Sequence, residues 1–167
     1  ARLTGFFPGS TIGNFLPYEA EAFLATAREV LRCGDLLIGV DLVKDEAVLN
    51  AAYNDAAGVT AAFNLNMLSH LNRLVGADFE PERFGHRAFY NPALGRIEMH
   101  LVSRAAQTVT VAGRPFTFAK GETIHTECSH KYSLKGFAAL ASRAGWQTAQ
   151  TWCDARGWFG MALLRVG

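Results

Sequence analysis

The chain has 167 residues, half of them apolar and 19% charged, with a formal net charge of +1 at pH 7. This length accommodates one domain with a hydrophobic core, and the near-neutral charge, without a Lys/Arg block, argues against electrostatic binding of nucleic acid. Three cysteines at irregular spacing predict reduced thiols, and the lack of a signal peptide or an apolar run of about 18 residues predicts a soluble, cytoplasmic protein.

The first part of the chain has the pattern of a strand, a helix and a second strand. Leu3–Phe7 predicts a short buried strand, and apolar residues at helical spacing predict a helix from Pro17 that stops at Gly34. Leu36–Val43 is a near-continuous apolar run of the kind buried in a parallel sheet. This order predicts a doubly wound α/β unit whose ligand-facing loops follow the strands, the first at Gly9–Asn14.

The chain begins directly on this apparent strand and not on Met. Domains rarely start on a central strand, because termini usually lie at exposed edges. We therefore expect that an N-terminal part has been removed.

The middle of the chain changes from a helical to a strand period. Helical spacing runs from Asp45 to about Val75, with a break near Gly58. Alternating polar and apolar residues then predict a strand at Arg96–Leu101, after a turn at Asn91–Gly95. Further along, we predict a hairpin of Thr108–Val111 with Arg114–Phe118, a helix over Leu134–Ala144, and two closing strands at Gln147–Cys153 and Phe159–Val166.

The loop Gly9–Asn14 is rich in small residues, so its backbone and hydroxyl groups could approach a ligand closely. It is neither a Walker loop nor a GxGxxG fingerprint. The alternative is an ordinary turn between a strand and a helix, with Asn14 capping the helix.

The segment Gly121–His130 contains two His, a Cys and a Glu, but their spacing fits neither a CxxC knuckle nor an HExxH helix. We therefore expect no metal here. In an extended chain Glu127 and Ser129 point to the same side, and a carboxylate beside a hydroxyl suits a small ring such as imidazole. A surface strand with solvated polar side chains is the alternative.

Two aromatic residues flank the helix break. Tyr53 could donate a hydrogen bond to a substrate carboxylate, and Phe63 could form a pocket wall. For Phe63, composition alone favours a plain core position. No catalytic Ser–His–Asp or Cys–His arrangement follows from the spacing, and Cys128 has no evident activating neighbour.

Six segments follow one another in the order of a known family: Phe6–Asn14, Leu36–Asp45, Ala52–Asn64, Ile97–Met99, Gly121–Thr123 and Thr126–Ser129. Together they resemble the histidine-specific methyltransferases of ergothioneine biosynthesis, and the resemblance spans nearly all of the chain. It implies an S-adenosylmethionine-dependent enzyme that converts histidine, in three transfers, to its Nα-trimethyl betaine, hercynine.

The resemblance also implies the fold class: α/β, with a partial doubly wound, class I methyltransferase-like sheet and an inserted helical and antiparallel β unit for substrate binding. Residues 1–44 would belong to the Rossmann-like core, 45–133 to the substrate-recognition insertion, and 134–167 to the helix and strands that return to the core sheet. Chains of this family are roughly twice this length, so most of the S-adenosylmethionine site and the catalytic tyrosine are expected upstream of residue 1. The catalytic base is therefore left unknown.

The resemblance implies roles for nine residues of this chain. Seven would bind the acceptor: Asn14 and Tyr53 at the α-carboxylate and amine of histidine, Glu127 and Ser129 at its imidazole, and Thr60, Phe63 and Met99 as pocket walls. Gly9 and Ser10 would lie near the donor.

Two alternatives stay open. The same family could act on another amino acid, for which an apolar residue in place of Glu127 would be the mark. The chain could also be a truncated, non-catalytic binding module, which alone lacks the donor loop. In that case we expect possible self-association through an exposed sheet edge.

Overall fold

The computed structural model describes residues 3–166, and these residues contain nine strands and four α-helices. In chain order they are β1 (Thr4–Phe7), α1 (Pro17–Leu31), β2 (Asp35–Asp41), α2 (Glu46–Tyr53), α3 (Val59–Val75), β3 (Phe84–Asn91), β4 (Arg96–Ser103), β5 (Gln107–Val111), β6 (Arg114–Phe118), β7 (Thr123–His130), α4 (Leu134–Arg143), β8 (Trp146–Cys153) and β9 (Phe159–Val166). None of the helices in these residues is long and apolar enough to cross a membrane.

The chain forms two compact units. The first unit contains residues 1–45, 91–96 and 128–167, and the second contains residues 46–90 and 97–127. The chain therefore leaves the first unit after β2, contributes residues 91–96 to it between β3 and β4, and returns to it within β7.

The first unit is built on a four-stranded sheet in the order β1-β2-β9-β8. β1 and β2 are parallel, as the strand–helix–strand pattern predicts, but β9 runs antiparallel to both of its neighbours. The sheet is thus mixed and not purely parallel. A continuous apolar run marks burial on both faces of a strand, and burial does not specify the direction of the neighbouring strand.

Helices α1 and α4 bury their apolar stripes with this sheet in one core cluster. α1 contributes Ala20 and Leu24, four residues apart, and α4 contributes Phe137 and Leu140. Trp146 is 1% exposed at the start of β8, and its Nε1–H donates to the Leu24 carbonyl at 2.8 Å. The buried indole thus packs in the core with its polar group satisfied.

The predicted helix stop at Gly34 is displaced. α1 ends at Leu31, and the residue with a positive φ at its end is Arg32, with φ 52°. Gly34 serves another purpose, because a Cβ there would lie 2.3 Å from the carbonyl oxygen of Leu3. The missing side chain lets the chain enter β2 directly beside β1.

The second unit combines α2 and α3 with a three-stranded sheet, β3-β4-β7, and the β5–β6 hairpin. The hairpin pairs Val111 with Arg114 across a turn at Ala112-Gly113, as predicted. The helix break near Gly58 is also observed. Leu68 of α3 packs with Phe84 and Leu101 in one core cluster, and Leu49 of α2 packs in another.

Candidate functional site

In the first unit, the loop after β1 makes a tight turn over the sheet. Gly9 and Ser10 both have a positive φ, 77° and 58°, before a short 3-10 turn at Thr11–Asn14. Gly39 of β2 makes room for this loop, since a Cβ there would lie 3.2 Å from the Gly9 nitrogen. Asn14 is exposed and does not cap α1, which instead begins after Leu16. The capping alternative is therefore wrong, because Asn14 ends the 3-10 turn and Phe15 and Leu16 separate it from the helix.

The same loop packs against the end of β7. A Cβ on Gly13 would lie 2.9 Å from the His130 carbonyl oxygen and 3.4 Å from the Ser129 Oγ. The His130 ring, 8% exposed, has its Nδ1 3.1 Å from the Gly13 carbonyl oxygen. Burial lowers the pKa of His130 below the ordinary 6.5, although the hydrogen bond to Gly13 acts in the opposite direction. The neutral ring therefore donates its Nδ1–H to the loop.

A polar network lies at the end of β2, in the same unit. The Ser10 Oγ accepts the Asp41 backbone N–H at 2.7 Å. The Asp41 carboxylate pairs with Lys44 through one oxygen and with Lys131 through the other, at 2.8 Å. The Lys131 Nζ also donates to the Ser129 Oγ at 2.8 Å. The network thus joins the loop after β1 to the end of β7.

In the second unit, three of the predicted site residues lie on either side of the turn between α2 and α3: Tyr53 ends α2, and Thr60 and Phe63 lie in α3. Asp55 accepts the backbone N–H of Val59 and of Thr60, both at 2.8 Å. These hydrogen bonds, chiefly those from Thr60, lower the pKa of Asp55 to about 2. Tyr53, at the end of α2, is half-buried, and Phe63 is 65% exposed. The core alternative for Phe63 is therefore wrong: its side chain lies at the surface of the described residues.

The other two predicted residues of this unit are Met99 and Glu127. Met99 is 3% exposed in the core cluster of Leu49 and Ile97, against which Tyr53 packs. Glu127 is half-buried on β7. Ser129 follows it on the same strand and is 6% exposed, so a solvated surface strand does not describe this position.

Asn64, on α3, has a buried side-chain amide and was not predicted as a site residue. Asn64, 0% exposed, donates through Nδ2 to the His86 Nδ1 and to the His100 carbonyl, at 3.0 and 3.2 Å. The His86 Nε2 lies 2.9 Å from the Tyr53 carbonyl oxygen. These contacts hold the end of α2 on the sheet. The sequence signals of Asn64 were its polar side chain at an apolar helix position and its place at the end of the family-like segment Ala52–Asn64.

Three potential metal ligands meet on the second unit's sheet. Donor atoms of Glu98, His100 and His125 all lie within 4.8 Å of one another, and only His125 belongs to the segment Gly121–His130 considered from the sequence. The His100 Nε2 faces Glu98 at 3.2 Å, while its Nδ1 is buried without a partner. A cation at Nε2 would place the ring proton on that buried Nδ1, where no acceptor is present. The geometry therefore favours a hydrogen bond from His100 to Glu98.

Sequence comparison places this arrangement in a known family. A profile of the histidine-specific, SAM-dependent methyltransferases matches residues 1–166. The chain belongs to this family. The histidine N-alpha-methyltransferase of Mycolicibacterium smegmatis is 46% identical over 160 residues, which cover 94% of this chain and 50% of that protein. The protein of the same name from Mycobacterium tuberculosis is 44% identical over 160 residues, with the same coverage.

The chain spans about half the length of the curated methyltransferases it matches. Among solved structures, the methyltransferase CcbJ from Streptomyces caelestis aligns with a TM-score of 0.51 and 14% identity, over 98% of this chain and 60% of that chain. At this identity the likeness concerns the fold alone. It agrees with the α/β architecture, and the family resemblance inferred from the motifs is confirmed.

Proposed function

We propose that this chain provides the acceptor-binding part of an S-adenosylmethionine-dependent methyltransferase that trimethylates the α-amine of histidine to hercynine. The observation that carries the proposal is the family match over residues 1–166, together with the 46% identity to a histidine N-alpha-methyltransferase. The donor would bind mostly to elements outside this chain, beside the loop at Gly9 and Ser10.

The chemistry of methyl transfer sets what the acceptor site must do. A sulfonium methyl group is displaced in line by a neutral amine, so the protein must position the amine and accept a proton. In the proposal Asn14 and Tyr53 hold the carboxylate and amine end, and Glu127 and Ser129 bind the imidazole. Binding at both ends fixes the amine between them.

The pocket walls and the domain assignment are part of the same proposal. The exposed ring of Phe63 offers apolar surface to a substrate, with Thr60 one helical turn earlier in α3 and Met99 deeper in the unit. Residues 1–44 and 134–167 would then form the methyltransferase core, and 45–133 the inserted recognition unit. The compact second unit, residues 46–90 and 97–127, supports this division.

Glu127 provides the first test, because its carboxylate only accepts hydrogen bonds. Glu127→Ala should weaken histidine binding by about tenfold or more, since a ring N–H would lose a charged acceptor. The measurement is calorimetric titration of histidine, with and without S-adenosylmethionine. It should be made on this chain and on the protein as its source organism makes it.

A matched control is Glu122→Ala, an exposed acid just before the same strand. We expect Glu122→Ala to bind histidine as the unchanged protein does. Equal weakening by both variants would remove Glu127 from the site. Saturable binding of another amino acid, with none of histidine, would refute histidine as the acceptor and leave the family membership intact.

A further inference from the structure

The most buried charged side chain of the network in the first unit belongs to Lys131, directly after β7. Its side chain is 0% exposed, whereas the partner Asp41 retains 22%. Burying an ammonium group is costly unless it is paired and hydrogen-bonded. Lys131 meets this condition with the Asp41 Oδ2 and the Ser129 Oγ, both 2.8 Å from its Nζ.

Asp41 is held firmly enough to fix the lysine. Its backbone N–H donates to the Ser10 Oγ, its carbonyl accepts the Tyr132 N–H at 2.9 Å, and Lys44 pairs with its other carboxylate oxygen. The Lys131 N–H donates to the Gly95 carbonyl at 2.8 Å. Both ends of the Asp41–Lys131 pair are thus anchored by the backbone of the unit.

The direction of the next hydrogen bond follows from the chemistry of the ammonium group. An ammonium only donates, so the Ser129 Oγ must be the acceptor. The single hydroxyl hydrogen of Ser129 is then available to donate to another group. We propose that Lys131 is a positioning residue that makes Ser129 a hydrogen-bond donor to the substrate ring. This inference rests on the proposed function.

The consequence is selection of one form of imidazole. Glu127 can accept one ring N–H, and a Ser129 hydroxyl set as a donor requires a bare ring nitrogen. Neutral imidazole offers both, whereas imidazolium carries a hydrogen on each nitrogen and would also meet the positive charge of Lys131 behind the hydroxyl. A pyrrole ring offers an N–H but no acceptor, and should be rejected for that reason.

Charged and titratable groups in and around this network would contribute to any measured pH dependence. They are Asp41 and Lys44 at the end of β2, His130 and Tyr132 on either side of Lys131, Arg96 near His130, and Glu127 and Cys128 before Ser129. Burial lowers the pKa of His130 and raises that of Tyr132 to about 12. A matched variant is therefore needed to separate the effect of Lys131.

The test compares Lys131→Met with Lys135→Met, the same change at an exposed position of α4. Calorimetry with the protein as its source organism makes it would give the affinity for histidine from about pH 5.5 to 8, across the ring pKa of about 6.5. The two pyrrolylalanine isomers serve as ring probes. The unchanged protein and Lys135→Met should bind histidine more tightly as the ring loses its proton. Lys131→Met should show a flatter pH profile and about tenfold less preference for histidine over the pyrroles.

Identical pH profiles and ring preferences in both variants would overturn the role of Lys131 while leaving histidine as the acceptor. If Lys131→Met does not fold, nitrogen-15 spectra of ring-labelled histidine bound to the unchanged protein decide the question. A neutral ring bound below its solution pKa supports the inference, and a bound imidazolium overturns it. Failure of the unchanged protein to bind histidine at every pH would refute the proposed function itself.

Discussion

Ser129 and His130 are adjacent on β7, and strand alternation sends their side chains to different partners. Ser129 accepts a hydrogen bond from Lys131, while His130 contacts the carbonyl of Gly13. Both residues lie close to Gly13 of the Gly9–Asn14 loop, because a Cβ there would lie 2.9 Å from the His130 carbonyl oxygen and 3.4 Å from the Ser129 Oγ. One short loop thus sets the surroundings of both residues.

The buried ring of His130 should make stability depend on pH. Its pKa is lowered in the folded state, so the unfolded chain binds the proton more readily. The stabilisation is complete above the unfolded pKa of about 6.5 and is lost as the pH falls from there toward the lower folded pKa. Denaturant unfolding between about pH 5 and 8 should show this loss.

His130→Asn should remove most of this dependence, because an amide keeps a donor for the Gly13 carbonyl and does not titrate. His70→Asn, at an exposed position of α3, is the control and should keep the dependence. An unchanged pH profile in His130→Asn would show that another group is responsible.

At the scale of elements, α3 begins with a cap that lies outside the helix. Gly58 occupies the cap position with φ 72° and offers no side chain, so Asp55 accepts the first two N–H groups instead. We expect Asp55→Ala to lower the melting temperature by a few degrees, because these donors lose their acceptor. The exposed Glu29→Ala in α1 should leave it unchanged.

The contribution of Asp55 has a defined pH window. Its pKa is about 2 in the folded chain, against an ordinary 3.8, so the carboxylate stabilises the helix above pH 3.8. The stabilisation decreases as the pH falls from 3.8 toward 2. The difference in melting temperature between Asp55→Ala and the unchanged chain should shrink across this interval, and a constant difference would contradict the capping role.

The elements that could be predicted from sequence are those set by local signals. Apolar residues repeated every three to four positions predict α1, and the turn at Ala112-Gly113 predicts the β5–β6 hairpin. The antiparallel position of β9 beside β2 has no local signal, since it depends on pairing between residues more than a hundred positions apart. The hydrophobic pattern of a strand indicates that the strand is buried, but it does not indicate which other strand it pairs with.

The same limit applies to the site. Alternation along an extended chain predicted that Glu127 and Ser129 share one side of a strand, and both lie on β7. Their roles came from the family resemblance, and they stay predictions. The contact of Lys131 with Asp41 joins positions 90 residues apart. Neither residue type nor local spacing indicates that these two residues meet. The exposure of Phe63 was missed because an aromatic residue at helical spacing usually belongs to a core.

At the scale of the whole molecule, the free edge of the first unit's sheet remains. Within residues 3–166, β1 pairs with β2 alone. An apolar groove of about 300 Å³ lies beside it, lined in part by Phe6, Phe23 and Val30, and Phe6 is 66% exposed. An unpaired strand edge next to apolar surface is a template for another strand.

We therefore expect this 167-residue chain, prepared alone, to self-associate through β1. Phe6→Lys should shift the mass measured by light scattering toward the monomer, because a charge on an edge strand opposes pairing. Leu74→Lys is the matched control, since Leu74 is also 66% exposed but lies on α3 in the second unit. A monomeric mass for the unchanged chain at high concentration would contradict the expectation. If both variants weaken association equally, the association is due to general surface hydrophobicity and not to the β1 edge.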